Sequence, residues 1–232
     1  MENIFSPPKH SVDVVLCLDG TGSMRSCIDA MKTSARELYA EILCQIDDYQ
    51  KEIESVRLKL IVFRDYREDG RTAIEESPFF SLPDGADDLA GFVERIEMSG
   101  GGDPEENGLE ALYYAMRSDF HTGKRDRQVI ILLTDADAHA LGACRSEAGY
   151  PSDMVDEEGL IAGWEGTDPQ NPTRLSRRKR RMMLFAPAYS KYQELAERLE
   201  YCRFEPIEEP AALFARESLV DLAKMICYHV FY

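Results

Sequence analysis

Asp19, Thr21 and Ser23 stand two residues apart in the stretch Asp19-Gly20-Thr21-Gly22-Ser23. Around glycines that turn tightly, one carboxylate and two hydroxyls spaced in this way can converge on one point. Oxygen donors of this kind suit a hard divalent cation such as Mg²⁺. The same residues also suit a capped helix, with Thr21 or Ser23 at the N-cap and Asp19 accepting from loop amides. The stretch alone leaves both readings standing.

Two later stretches carry the same chemistry. Asp103 follows Ser99-Gly100-Gly101-Gly102 and precedes Pro104, where a carboxylate can cap the next helix or face an ion. Asp135 lies in Thr134-Asp135-Ala136-Asp137-Ala138-His139, at the end of an apolar strand where a carboxylate needs partners. Asp65, in Arg64-Asp65-Tyr66-Arg67, falls at another strand end and reads as an outer or structural residue. His139 reads as a hydrogen-bonding support, because imidazole suits zinc and other transition metals better than Mg²⁺.

The elements that must position these residues are visible in the hydropathy pattern. Val14–Leu18 is a continuous apolar run, as in a strand buried on both faces of a parallel sheet. After it, Met24, Cys27, Ile28, Met31, Leu38 and Ile42 recur at helical spacing. Val56–Phe63 predicts a second strand, and residues 72–82 an edge strand, since Pro78 cannot occupy a central ladder. Helices are expected over 86–96 and from about 104 through Met116, strands over Gln128–Leu133 and Met182–Ala186, and a capping-box helix from Ser190. A short strand at 203–207 and a closing helix at 219–230 complete the order. This succession predicts an α/β fold, a doubly wound and mostly parallel sheet with one antiparallel edge strand and helices on both faces. Residues 1–10 read as a leader and 11–232 as a single domain, with an irregular insertion at about 140–176.

Lys and Arg number 27 against 43 acidic residues, a net charge of −16. Such a surface repels phosphate, so neither nucleic acid nor an anionic membrane is an expected partner. The run from Arg174 to Arg181, six cations in an acidic chain, can be a nucleic-acid or localisation patch or a solvated approach to the strand that follows. The solvated approach is the expectation. No run of about 18 apolar residues and no signal-peptide layout is present, so a cytoplasmic setting is expected. The six cysteines, without a CxxC pair, read as reduced core residues.

Asp-x-Thr-x-Ser after an apolar strand resembles the first motif of the metal-ion-dependent adhesion site of von Willebrand factor A domains. Phe63-Arg64-Asp65-Tyr66, Gly100-Gly101-Gly102-Asp103-Pro104-Glu105 and Thr134-Asp135-Ala136 bring it nearer to intracellular members of that family, including bacterial ones. The resemblance implies a Rossmann-like fold and a metal held by Asp19, Thr21, Ser23 and Asp135. Gly108-Leu109-Glu110-Ala111-Leu112 resembles the helix start after the second metal loop, which places Asp103 where the family carries a threonine. That substitution adds charge beside the ion and weakens the implication that a partner's carboxylate completes the coordination. The implied function is non-enzymatic: a protein-interaction domain using Mg²⁺, with Mn²⁺ or Ca²⁺ as alternatives, whose unidentified protein partner binds at the metal face. A small-molecule substrate is not expected. The competing class is a phosphohydrolase of haloacid-dehalogenase type with Asp19 as nucleophile, against which Thr21 stands where those enzymes place a second aspartate. A metal-free scaffold with a degenerate site is the third reading.

Overall fold

The computed structural model describes residues 9–48, 52–99, 104–168 and 172–232. Strand β1 (Lys9–Asp19) leads through a single 3-10 turn into helix α1 (Arg25–Asp48), and β2 (Glu52–Phe63) returns beside β1. Then come α2 (Tyr66–Asp69), β3 (Ile74–Glu76), β4 (Phe80–Leu82), α3 (Ala86–Glu94), β5 (Glu105–Glu106) and α4 (Gly108–Met116). The chain continues through β6 (Arg127–Leu133), β7 (Asp137–Ala138), α5 (Glu157–Glu165), β8 (Arg180–Ala186), α6 (Lys191–Arg198), β9 (Cys202–Pro206) and α7 (Leu219–Phe231).

Strands β2, β1, β6, β8 and β9 run parallel in that spatial order, and β3 and β4 both pair antiparallel with β2 at the edge. The architecture is therefore the doubly wound, mostly parallel α/β sheet expected. The expected edge strand at 72–82 is two strands, broken at Ser77–Phe79. There Ser77 stays tied to β2, its amide donating to Leu60 O at 2.9 Å and its Oγ accepting from Leu60 N at 2.8 Å.

Period-2 alternation sends successive strand residues to opposite layers. Val15, Cys17, Ile61, Phe63, Ile130, Leu132, Met182 and Leu184 face a core closed by α4, α5 and α6. Leu18, Leu60, Val62, Leu133, Met183 and Phe185 face the other layer, under Met24 of the 3-10 turn, Cys27 and Ile28 at the start of α1, Phe92 of α3 and Leu222 of α7. With both faces covered, the strands read as unbroken apolar runs.

The irregular region at 140–176 supplies a layer of the core. Leu160 and Trp164 of α5 are buried against the α4 face, and Trp164 Nε1 donates to Glu200 O at 2.8 Å. The basic run beside it is not uniformly solvated, which corrects the expectation. Arg174 and Arg177 do form exposed pairs with Asp119 and Glu200. Arg180, 1% exposed, lies over the Trp164 ring and pairs with Glu165 at 2.7 Å. Arg181 donates to His229 O at 3.0 Å and Arg127 to Val230 O at 2.8 Å, so two buried or half-buried guanidiniums meet the carboxyl end of α7, the end that favours cations.

The helix after the glycine-rich stretch also begins later than expected. Asp103 lies outside the described residues, but α4 starts at Gly108 with Asn107 at its N-cap, not at Pro104. Residues 105–106 are instead taken up by pairing with β7, and Asn107 Oδ1 accepts from Tyr66 N at 2.8 Å. Gly108 is required by packing: a Cβ there would lie 1.9 Å from Tyr192 Oη and 3.2 Å from Phe63 Cε2. The capping box at Ser190 is likewise altered. Gln193 Oε1 accepts from Tyr189 N at 3.0 Å, and the Ser190 side chain makes no cap bond.

Two stability changes follow. Replacing Arg180 with Met strands Glu165 and uncovers Trp164, and breaking a largely buried pair in this way costs about 3 kcal/mol; a fall in the urea midpoint measures it. Gly108→Ala overpacks the α4–α6 contact by about 2 kcal/mol. Part of that loss returns in the Gly108→Ala/Tyr192→Phe double variant, which removes the 1.9 Å approach but leaves Cζ at 2.9 Å, and the buried Tyr192 Oη has no hydrogen-bond partner among the described residues to lose.

Candidate metal centre

Strand β1 connects outward to β2 on one side, whereas β6 connects outward to β8 on the other. The gap between the carboxyl ends of β1 and β6 is therefore the switch point of the sheet, where an open α/β fold presents a crevice. Asp19 ends β1, and Thr134 and Asp135 follow the last residue of β6.

Asp19 is 0% exposed and both its oxygens are engaged. Oδ1 accepts from Thr21 N at 2.9 Å and from Thr21 Oγ1 at 2.6 Å, while Oδ2 accepts from Thr134 Oγ1 at 2.6 Å. Thr21 Oγ1 lies 3.1 Å from Ser23 Oγ, and Ser23 Oγ donates to Asp135 Oδ1 at 3.0 Å. The fold thus gathers Asp19, Thr21, Ser23 and Asp135 into one chain of hydrogen bonds across the switch point. Asp19 and Thr21 form its buried floor; Ser23, exposed, and Asp135, half-buried, form its mouth.

Gly20 makes the floor possible. Its amide donates to Phe63 O at 2.8 Å, and a Cβ would fall 2.6 Å from Val62 Cγ1, so β1 could not turn so closely against β2 with any side chain there. Ser99 lies against this turn, its N donating to Gly20 O at 3.2 Å. Asp103, the fifth expected metal residue, is not among the described residues.

Thr134 is the member that residue-type reasoning passed over. Its Oγ1 donates to Asp19 and accepts from Ala136 N at 3.0 Å, fixing the turn that presents Asp135. A hydroxyl residue directly between a buried strand and an acidic residue was the available signal. Asp137 serves elsewhere, its Oδ1 accepting from Lys191 N at 2.8 Å at the start of α6. Asp65 caps α2 through Arg67 N at 2.9 Å and faces His139, whose Nε2 is 3.4 Å from Asp65 Oδ1. Both are apart from the Asp19 chain of bonds.

Burial is the main influence on Asp19 and pushes its carboxyl up to about 6. Hydrogen bonds from Thr134 and Thr21 oppose that rise, and the neighbouring Asp135 charge adds to it. The donor set fits a hard cation: every side chain offers oxygen, and an ion would offset two carboxylates whose mutual repulsion the fold otherwise carries.

The pH dependence of the metal-free protein follows from the sign of that shift. An unfolded aspartate titrates near 3.9, so folded Asp19 holds its proton more tightly than the unfolded chain does. Its contribution to stability is complete below about pH 4 and is lost as pH rises through about 6. In EDTA, wild-type protein should therefore lose roughly 2–3 kcal/mol between pH 4 and pH 7.5 relative to Asp19→Asn. Urea unfolding of both proteins at the two pH values reads the difference directly.

No family model and no curated protein sequence matches the chain. Its fold, however, is shared with solved structures. A pilus adhesin, SpaC from Lactobacillus rhamnosus GG, superposes with a TM-score of 0.60 over 97% of this chain at 14% identity. The same adhesin in an open conformation gives 0.54 over 95% at 12%. Proximal thread matrix protein 1 from the mussel byssus gives 0.50 over 93% at 13%. The chain spans 31% of the length of the adhesin and 49% of the byssus protein, and the likeness is one of architecture.

Proposed function

We propose that this chain is a divalent-metal-dependent protein-interaction domain whose partner docks on the mouth of the β1–β6 crevice. The observation that carries this reading is the convergence of Asp19, Thr21, Ser23 and Asp135, from two loops 112 residues apart in sequence, on one oxygen-lined site. Asp19, Thr21, Ser23 and Asp135 would hold the ion, with Asp103 adding charge beside it. Mg²⁺ is the ion of choice for a small site of carboxylates and hydroxyls. When bound, the ion supplies a Lewis-acidic position that a partner's oxygen can occupy in place of water.

The protein's own residues divide the remaining work. Asp19 anchors the site from a dry floor, and Thr134 and Thr21 hold its carboxylate in one orientation. Ser23 and Asp135 meet the partner. The shared architecture with an adhesin supports an interaction role. A phosphohydrolase is less well supported: both oxygens of Asp19 are engaged and buried, and Thr21 occupies the position of the acid such an enzyme needs. Among the described residues no helix is long and apolar enough to cross a membrane. A cytoplasmic setting is part of this proposal. Residues 11–232 would act as one domain.

Thermal unfolding tests the reading. Mg²⁺ at about 100 times its dissociation constant should add roughly 2.7 kcal/mol of native-state stability over EDTA, and Asp19→Ala and Asp135→Ala should each abolish the gain. An unchanged melt at millimolar Mg²⁺, Mn²⁺ and Ca²⁺ would sink the metal-dependent reading. Mg²⁺-dependent turnover of a generic phosphate ester, lost in Asp19→Asn, would instead establish the hydrolase.

A further inference from the structure

One strand over from the Asp19 cluster, a second set of donors of different chemistry is buried behind the rim. Asp65, beyond the end of β2, His139, beyond β7, and Cys144, in the turns that follow, each place one ligand-capable atom within 4.8 Å of the other two. Asp65 and His139 are 1% exposed and Cys144 is 0% exposed. We propose that Asp65, His139 and Cys144 form a structural zinc site distinct from the Asp19 centre.

Three observations carry this. First, the donors are one carboxylate, one imidazole and one thiolate precursor, the mixture that suits Zn²⁺ and not Mg²⁺. Second, Asp65 Oδ2 is buried with no hydrogen-bond partner among the described residues, while Oδ1 is taken up by Arg67 N. A carboxylate oxygen so placed is costly unless something electropositive meets it. Third, His139 is oriented as zinc-bound histidines are. Its Nδ1 lies 3.2 Å from Glu105 Oε2, and its Nε2 turns inward, 3.4 Å from Asp65 Oδ1. With a carboxylate beside the outer ring nitrogen, the inner nitrogen is directed at the Asp65 carboxylate that would share the ion.

The surroundings agree. Tyr66, Ala73, Ile74 and Tyr150 enclose Cys144 in apolar contact, and such a shell keeps solvent from a structural site. Asn107 lies against the sulfur, its Nδ2 donating to Cys144 Sγ at 3.6 Å while its Oδ1 accepts from Tyr66 N at 2.8 Å, and so holds the sulfur in place. On binding, the Cys144 thiol gives its proton to solvent, and one thiolate and one carboxylate together neutralise the ion. A Cys-His-Asp nucleophile is the other chemistry these residues could suggest. It fails because no substrate reaches a thiol with no exposure, and burial pushes that thiol up, away from the reactive thiolate.

The consequence for the fold is specific. His139 and Cys144 flank the start of the 140–176 region and Asp65 lies just beyond the end of β2, so one ion would tie the irregular region to the rim of the sheet.

The test uses Co²⁺ as a spectroscopic probe on the chelator-stripped 232-residue chain. The expected result is one equivalent of Co²⁺ giving a thiolate-to-cobalt charge-transfer band with tetrahedral visible absorption, bleached by Zn²⁺. Cys144→Ser should lose the band and bind Zn²⁺ on the order of 100-fold more weakly. Asp19→Ala should keep both, since an all-oxygen centre yields no thiolate band. No band from folded wild-type protein at saturating Co²⁺, or a band that survives Cys144→Ser, would overturn the proposal. X-ray absorption of the zinc-loaded wild type serves if that variant does not fold: one sulfur among nitrogen and oxygen neighbours supports the site, and a shell without sulfur rejects it.

Discussion

The burial of the Asp19 carboxylate at the switch point of the sheet is the constraint to which the rest of the rim conforms. A carboxylate with no exposure is tolerated only when its oxygens are met by donors. Here the donors come from its own loop, through Thr21, and from the neighbouring strand end, through Thr134. Thr134 can reach Asp19 only if β1 and β6 are adjacent and in register, as the pairing of Leu18 with Leu133 makes them. The hydrogen bonds that make the charge tolerable therefore also fix the two loops whose outer residues, Ser23 and Asp135, face solvent.

How close those loops come is decided on the other side of β1. The Gly20 turn is pressed against β2 by its bond to Phe63 O and by Val62, while Arg64, 3% exposed, reaches from the end of β2 to Glu97 O and Thr72 O. Arg64 thus ties the strand end to the segments before and after β4 and α3. The site is built on rigid strand ends, with loops only as its outer wall. Alternating side chains on those strands fill both cores, so any slip in register would move Asp19 off the crevice and apolar residues out of the core together.

The strands were legible because they are buried on both faces and so appear as apolar runs, and the two anchoring aspartates because they sit at the ends of such runs. Three features were not legible, each for the same physical reason. The late start of α4 depends on residues 105–106 pairing with β7 and on Asn107 meeting Tyr66. The burial of Arg180 depends on Trp164 and Glu165, 15 or more residues away. The role of Thr134 depends on Asp19, 115 residues earlier. Residue type and local spacing describe what a side chain can do; these outcomes were set by which distant partner the topology delivered. A run of cations read as solvated is the natural error, since an arginine's burial is decided wholly by whether a partner is delivered to it.

The chain's charge of −16 bears on what can use the crevice. A surface rich in carboxylates raises the local concentration of cations and opposes anions, so a weak oxygen-lined centre would gain ion occupancy from the whole protein as well as from its own ligands. The same field opposes phosphate-bearing ligands at the mouth, where Asp135 adds a further carboxylate. An ion bound there would reverse the sign of the potential only over a short range, because salt screens exposed charges beyond about 8 Å. A partner would then feel repulsion at a distance and attraction at contact. That combination would favour a neutral or basic protein surface that presents one well-placed oxygen over a uniformly acidic one, and discrimination would then lie in the geometry of Ser23 and Asp135 instead of in long-range steering.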